Sequence, residues 1–254
     1  MSQRLYPPAR PQSIGAILDT AFQIFGASLL RVLPYGILLG LSARLADLYN
    51  LATGRAVGRG APHDLRWWVT YTLGVVVQML LWAALLQRQR AVAQGEASTM
   101  RAELALSLRR LPAMVGMAVL IVLAVAGGTL CLVLPGVYLA VALVMAQPTL
   151  ILEGRGPIEA MRLSVQLVRG SWWRTFLIYL VAVVIVFVFY VLVIVILGIL
   201  YQFMRRADVA FVGATAVVLI SALSVFSFPF IGATTLAMFG DLHVRRALRT
   251  PPQA

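Results

Sequence analysis

Two ionisable side chains inside an apolar segment are the residues whose types and spacing most readily suggest chemistry. Arg44 and Asp47 interrupt the apolar segment 33–51 and are three residues apart, a spacing that places them on one face of a helix. Ionisable groups inside a membrane span usually face a bundle interior or a wet cavity. The pair is therefore predicted either to line a polar path or bind a lipid headgroup, or to extend from the span to the headgroups.

Other candidates for chemistry are sparse. The single cysteine, Cys131, lies within an apolar segment, and the two histidines, His63 and His243, each have one aspartate nearby. A zinc site needs three or four ligands at suitable spacing. Without lysine no GxxxxGK[ST] phosphate loop can form, and no GxSxG nucleophile motif occurs. We predict no catalytic, cofactor-binding or metal-ligating residues.

Most of the acidic residues lie near arginines in segments that flank the apolar ones. Carboxylates that perform acid–base chemistry must converge on the reacting group, whereas these are scattered along the chain. We expect them to form solvated or headgroup-level ion pairs, which contribute little to stability. The residues concerned are Asp19, Glu96, Glu103, Glu153, Glu159 and Asp241.

The composition indicates a membrane protein. Of the 254 residues, 61% are hydrophobic and 12% are charged, and the mean hydropathy is +0.91. Soluble domains are about 45–50% apolar and about 25% charged. All 21 basic residues are arginine, against 9 acidic residues, which gives a net charge of +12. In a soluble protein this charge would suggest a nucleic-acid partner, but the apolar excess must be explained first, and we predict no such partner.

The apolar segments predict an all-α fold, a polytopic transmembrane helical bundle of about six spans. Segments of roughly 18 or more apolar residues are candidate spans, and none shows the strict alternation of a barrel strand. The uncharged segment 111–147 is too long for one span, and Pro135–Gly136 divides it. The predicted spans are 32–52, 67–86, 111–133, 135–151, 175–204 and 209–240. The last is rich in small residues and is predicted to be the central helix, whereas the fifth is bulky and is predicted to face lipid or a partner.

Three further segments are predicted to be interfacial amphipathic helices, at 13–30, 98–110 and 157–172. In the first, Ile14, Ile17, Leu18 and Ala21 begin an apolar face of helical spacing, and Ser13 is a suitable N-cap. Amphipathic helices with arginines on the polar face lie in the headgroup plane. Because each segment precedes two predicted spans, the layout suggests a threefold repeat.

The arginines predict the orientation of the bundle. Fifteen flank the side that carries both termini and five flank the other side. Because arginine-rich flanks stay in the cytoplasm, we predict a multi-pass protein of the bacterial inner (cytoplasmic) membrane with both termini cytoplasmic. The opening MSQRLYPPARP has no apolar segment directly behind it, so no cleaved signal peptide is predicted. Arginines at headgroup level attract anionic lipid, and the predicted contacts are Arg109, Arg110, Arg162, Arg169, Arg174, Arg245 and Arg246.

One long stretch resembles a known family. From Leu134 the sequence reads LPGVYLAVALVMAQPTLILEGRGPIEAMRLSVQLVRGSWWRTFLIYLV, and the ends of the chain carry RPQSIGAILDTAFQIFGASLLRVLP and FGDLHVRRALR. These segments resemble the membrane domain of bacterial glycerophosphodiester phosphodiesterases and related stand-alone six-span inner-membrane proteins. The resemblance implies a fold and topology. It transfers no catalytic residue, because the activity of the fused proteins belongs to a separate soluble barrel that this sequence lacks.

The sequence favours a non-catalytic scaffold or accessory protein of the inner membrane. Its predicted partners are the lipid bilayer, anionic lipids, and a membrane protein or a second copy of the chain. The alternative is a membrane transporter or the membrane subunit of a transport complex, which proline-interrupted spans and the pair Arg44 and Asp47 would suit. A membrane-embedded lipid enzyme is a third class, but the sequence offers no nucleophile or metal cluster for it.

Overall fold

The computed structural model describes residues 5–53, 64–203 and 209–249. Within these ranges every regular element is an α-helix, and six segments are long and apolar enough to cross a membrane. The predicted all-α bundle of about six spans is confirmed. The helices are α1 (Ile14–Ser42), α2 (Leu45–Ala52), α3 (Leu65–Gln94), α4 (Met100–Cys131), α5 (Val133–Ala142), α6 (Ala146–Glu153), α7 (Pro157–Val168), α8 (Trp172–Phe203) and α9 (Val209–Arg249). Arg4 and His63 lie outside the described part of the chain.

The first helix differs from the prediction of an interfacial helix at 13–30 followed by a span at 32–52. Ser13 caps α1 as predicted, accepting a hydrogen bond from the amide of Ala16 at 3.2 Å, but the helix continues unbroken to Ser42. Its buried side chains alternate at intervals of three and four residues, and this stripe crosses the predicted boundary without interruption. The stripe comprises Ile17, Ala21, Ile24, Ser28, Val32, Tyr35 and Leu39. Ala43 is the C-cap of α1, and α2 begins after Arg44.

Two other predicted boundaries also differ. The interfacial helix predicted at 98–110 and the span predicted at 111–133 form one helix, α4, with Thr99 as its N-cap. The span predicted at 135–151 is divided into α5 and α6, which are separated at Leu143–Met145. Only the segment predicted at 157–172 forms a short separate helix, α7, which Gly170 follows with φ of 76°. The threefold repeat stays a prediction.

The long helices exceed the thickness of a bilayer core. A helix of about 30 residues is about 45 Å long, against a hydrocarbon core of about 30 Å. The amphipathic segments at the starts of α1 and α4 are therefore continuations of long helices. One end of the bundle gathers the starts of α1 and α8 and the ends of α3, α6 and α9. We call it the terminal end of the bundle.

The last helix occupies the centre, as its small residues predict. It runs against α1 over most of that helix and also packs on α3 and α8. Close approach depends on Gly36 and Gly40 of α1, since a Cβ at these positions would lie 2.5 Å from the Val225 carbonyl oxygen and 2.8 Å from that of Ser221. In contrast, only 6% of the most apolar window of α8 is buried. The bulky fifth span therefore leaves most of its surface uncovered.

Candidate functional site

A buried carboxylate joins the segment before α1 to the last helix. Asp241 of α9 is fully buried. Its carboxylate accepts hydrogen bonds from the backbone N–H of Gln12 and from Arg245 Nε, both at 2.7 Å. Arg174 of α8 forms an ion pair with the same carboxylate at 3.6 Å, and both arginines also donate to the Gln12 carbonyl. Asp241 thus forms ion pairs with arginines as expected, but three elements enclose it, so the pairs are not solvated.

The segment that precedes α1 is held at the same end. The Leu5 amide donates to the Ala93 carbonyl at 3.0 Å, and Tyr6 is only 8% exposed. Burial, with a smaller contribution from Glu153, raises the pKa of Tyr6 to about 12, although Arg90 acts in the opposite direction. The N-terminal segment is thus part of the packed structure.

A second buried carboxylate connects α1, α3 and α4. Glu103 is 2% exposed; it accepts hydrogen bonds from the Tyr35 hydroxyl and from Ser98 Oγ, the latter at 2.6 Å. Arg88 forms an ion pair with it at 2.9 Å and also donates to the Ser98 carbonyl at 2.7 Å. Glu103, too, forms the expected ion pair with an arginine, but the pair is enclosed and not solvated. A charge held in this way needs all its partners, because an uncompensated buried charge is costly.

Arginines from α3 and α4 meet at the C-terminus of α6. Arg90 donates to the Leu152 carbonyl at 2.7 Å, and Arg110 donates to the carbonyls of Leu150, at 3.2 Å, and Ile151. The last four carbonyls of a helix have no partner within the helix, and the C-terminus carries a partial negative charge. The two guanidinium groups therefore cap α6. They also line a cavity of about 350 Å³ between α3, α4 and α6.

The predicted anionic-lipid contacts fall into two groups. Arg110, Arg174, Arg245 and Arg246 form hydrogen bonds within the chain, the last with Gln166 at 3.0 Å. The others are exposed and form no side-chain hydrogen bond or ion pair with any residue that the structure describes. This second group, the surface arginines, comprises Arg109, Arg162 and Arg169.

Arg44 and Asp47, which were expected to share a helix face because of their spacing, form an ion pair. Arg44 lies 3.2 Å from Asp47, and their side chains are 30% and 28% exposed. However, Arg44 precedes the first turn of α2, at the break between α1 and α2, and does not lie within a continuous span. A role for this pair in binding stays a prediction.

His243 lies beside a carboxylate other than the neighbouring Asp241. Its Nε2 is 2.9 Å from Glu153, which also pairs with Arg155 at 2.7 Å. Glu153 and Glu159 raise the pKa of the exposed Arg155 guanidinium through hydrogen bonds and charge. Among the residues that the structure describes, no three histidine, cysteine or acidic side chains group as metal ligands would.

A larger cavity lies among the membrane-spanning helices. It has a volume of about 440 Å³ and is mostly apolar, with polar groups from Gln78, Gln147, Tyr190 and Ser227. Tyr190 is hydrogen-bonded to Ser224 of α9 at 3.0 Å. Gln147 belongs to α6, the second half of the divided span. The cavity therefore adjoins the span Val133–Glu153, which the structure shows as two helices.

Sequence reasoning missed several residues of these sites. Tyr35 and Gln89 are fully or nearly fully buried, and Gln89 Nε2 donates to the Pro229 carbonyl at 2.7 Å. Arg88 and Arg90 belong to the fifteen arginines that predict the orientation, and nothing in their spacing indicates the contacts they make. A usable signal was present for Tyr35, since it occupies the regular apolar stripe of α1.

Six apolar segments of the described chain, each long enough to cross a membrane, define an integral, multi-pass membrane protein. Residues 120–248, just over half of the chain, match the family model described as the membrane domain of glycerophosphoryl diester phosphodiesterase. The chain belongs to this family, as the resemblance of its sequence implies. No curated protein and no solved structure matches it.

Proposed function

We propose that this chain is a non-catalytic scaffold or accessory protein of the bacterial inner membrane, with both termini in the cytoplasm, that binds anionic lipid and a membrane partner. The supporting observation is the group of surface arginines, Arg109, Arg162 and Arg169. Each is exposed without an intramolecular partner among the described residues, while neighbouring arginines are occupied. Near an anionic surface each contributes about 1 kcal/mol.

The exposed surface of α8 supports a partner in the membrane. Its apolar side chains, such as Phe187 and Ile194, are 62% and 58% exposed, so lipid or another protein must cover them. The family match supports a membrane role as well, because it concerns only a membrane domain.

The test is retention of lipid by the purified full chain. The triple variant Arg109→Gln, Arg162→Gln and Arg169→Gln is compared with the wild type in bilayer discs of mixed phosphatidylglycerol and phosphatidylcholine, and retained lipids are counted by native mass spectrometry. We expect the preference for phosphatidylglycerol to fall by up to about fivefold per arginine. Arg66→Gln, exposed at the opposite end of α3, is the control. An unchanged preference in the triple variant would contradict anionic-lipid binding by these residues.

A transporter is the second candidate, and the cavity lined by Gln78, Gln147, Tyr190 and Ser227 favours it. Discontinuous helices often form transport sites near the bilayer midplane, and α5–α6 is discontinuous beside this cavity. Pull-down of the tagged full chain from gently solubilised membranes distinguishes the two. A stoichiometric ATPase supports transport. A complex without an energy-coupling subunit supports the scaffold.

A further inference from the structure

Two positive charges share a small space at the end of α6. The guanidinium groups of Arg90 and Arg110 bond to the carbonyls of consecutive residues, Leu152 and Ile151. Both groups therefore lie beside the same turn of α6. Like charges at such a distance repel each other, so a neutralising group is expected nearby.

The negative charge that the described residues place near Arg90 and Arg110 does not balance the two positive charges. The C-terminus of α6 provides about half a negative charge. The closest buried carboxylate, Glu103, is already engaged by Arg88, Tyr35 and Ser98. Neither Arg90 nor Arg110 forms an ion pair with an acidic side chain of the described chain. In addition, Arg90 Nε is buried and has no hydrogen-bond partner there, although a buried donor normally has one.

Both arginines line the cavity of about 350 Å³ that lies between α3, α4 and α6. Its other polar lining residues include Gln87, Gln94 and Ser98. This volume falls within the range of about 300–1,000 Å³ that is typical of ligand sites. Glu96 also lines the cavity and is exposed. The lining thus holds two arginines and two carboxylates. Because Glu103 is neutralised by Arg88, which lies outside the lining, Arg90 and Arg110 are opposed by Glu96 alone, and this excess of one positive charge suits a singly charged anion.

We propose that this cavity binds a phosphate group through Arg90 and Arg110, either the phosphodiester of an anionic lipid headgroup or a free phosphate compound. Guanidinium groups bind phosphate oxygens through paired, charge-assisted hydrogen bonds. Each guanidinium carries five N–H donors, and only the Nη1 of each is used at α6. The proposal deepens the proposed function, on which its lipid form rests, by adding a single defined site to the diffuse surface contact.

The experiment uses the full chain purified in a non-ionic detergent and has two arms. The first measures binding of inorganic phosphate by calorimetry, at constant ionic strength with chloride as the reference anion. The second measures retention of phosphatidylglycerol against phosphatidylcholine in bilayer discs. We expect Arg90→Gln and Arg110→Gln each to weaken phosphate or phosphatidylglycerol binding at least about tenfold. Glu96→Gln should strengthen it severalfold, and Arg66→Gln, exposed at the opposite end of α3 from Arg90, should leave it unchanged.

The two arms separate the sources of the ligand. Phosphate binding without a phosphatidylglycerol preference assigns the site to free phosphate compounds. Retention of phosphatidylglycerol without phosphate binding assigns the site to lipid. Either result supports the site if Arg90→Gln abolishes the binding. Binding of neither probe, or binding that survives both arginine substitutions, overturns the proposal and leaves the arginines as caps of α6. If the arginine variants do not fold, Glu96→Gln decides, since unchanged affinity there also overturns it. If the triple variant of the surface arginines keeps the wild-type lipid preference, the proposed function is contradicted but this site is not.

Discussion

Gly36 of α1 lies against the backbone of Val225 in α9, so that a Cβ at this position would stand 2.5 Å from the Val225 carbonyl oxygen. Gly40 repeats the approach one turn later against Ser221. The spacing Gly-x-x-x-Gly is a common means of bringing membrane helices together. Because the opposing atoms belong to the backbone, an added methyl group can be accommodated only if the helices separate.

We expect Gly36→Ala to lower the free energy of unfolding by about 1–3 kcal/mol, the usual cost of overpacking. The measurement is thermal unfolding of the purified chain in detergent. Gly26→Ala is the matched control in the same helix, because no atom lies within 4 Å of a Cβ there. Equal effects of the two substitutions would show that the close approach at Gly36 is not needed for stability.

Asp241→Asn should release the segment before α1. The substitution leaves Arg174 and Arg245 without the carboxylate that they enclose, and removal of one member of a buried ion pair costs about 3–5 kcal/mol. We expect a lower unfolding temperature and faster proteolysis near Gln12. Asp19→Asn, at an exposed position on α1, should change neither. A wild-type cleavage pattern in Asp241→Asn would refute this role.

Tyr35→Phe should weaken the junction of α1, α3 and α4. The Tyr35 hydroxyl donates to the buried Glu103 carboxylate, and loss of one donor to a buried charged group costs about 1–3 kcal/mol. Chemical unfolding followed by tryptophan fluorescence measures the change. Tyr71→Phe removes a hydroxyl from an exposed residue and serves as the comparison, for which little change is expected.

Alkaline pH should loosen the N-terminal segment. Tyr6 has a pKa of about 12 in the folded chain, against 10.0 for an ordinary tyrosine. A raised pKa stabilises the folded state fully below pH 10, and this contribution is lost as the pH rises from about 10 to about 12. Ultraviolet absorbance of tyrosinate and proteolysis of the segment should change together over that interval. Tyr6→Phe should remove the pH dependence of the proteolysis; if that dependence persists in the variant, another group controls the segment.

The pair Arg44 and Asp47 should contribute little to stability. Both side chains are nearly one-third exposed, and exposed pairs contribute at most about 1 kcal/mol. A double-mutant cycle with Arg44→Ala and Asp47→Ala should therefore give a coupling energy below about 1 kcal/mol in thermal unfolding. If either variant loses anionic-lipid retention or transport at unchanged yield, the pair has the predicted binding role. Unchanged function would leave extension to the headgroups as its explanation.

The number of spans could be predicted from the sequence because apolar length alone determines it, but their boundaries could not. The buried stripe of α1 passes through residue 31 without a break, and local amphipathicity cannot distinguish an interfacial helix from the end of a long one. Burial of Glu103 and Asp241 depends on partners far along the chain, Tyr35 and Gln12 respectively. Such contacts leave no periodic signal. In contrast, the pairing of Arg44 with Asp47 is local and was predicted from their spacing.

The pairing of α1 with α9 also constrains how the protein can be made. Residues 120–248, which match the family, contain α9 but not α1. During synthesis, α1 leaves the ribosome nearly two hundred residues before Val225 and Ser221. The face of α1 that carries its two packing glycines therefore stays uncovered in the bilayer until α9 is inserted. A nascent chain that stalls before α9 would therefore expose that face to other membrane proteins.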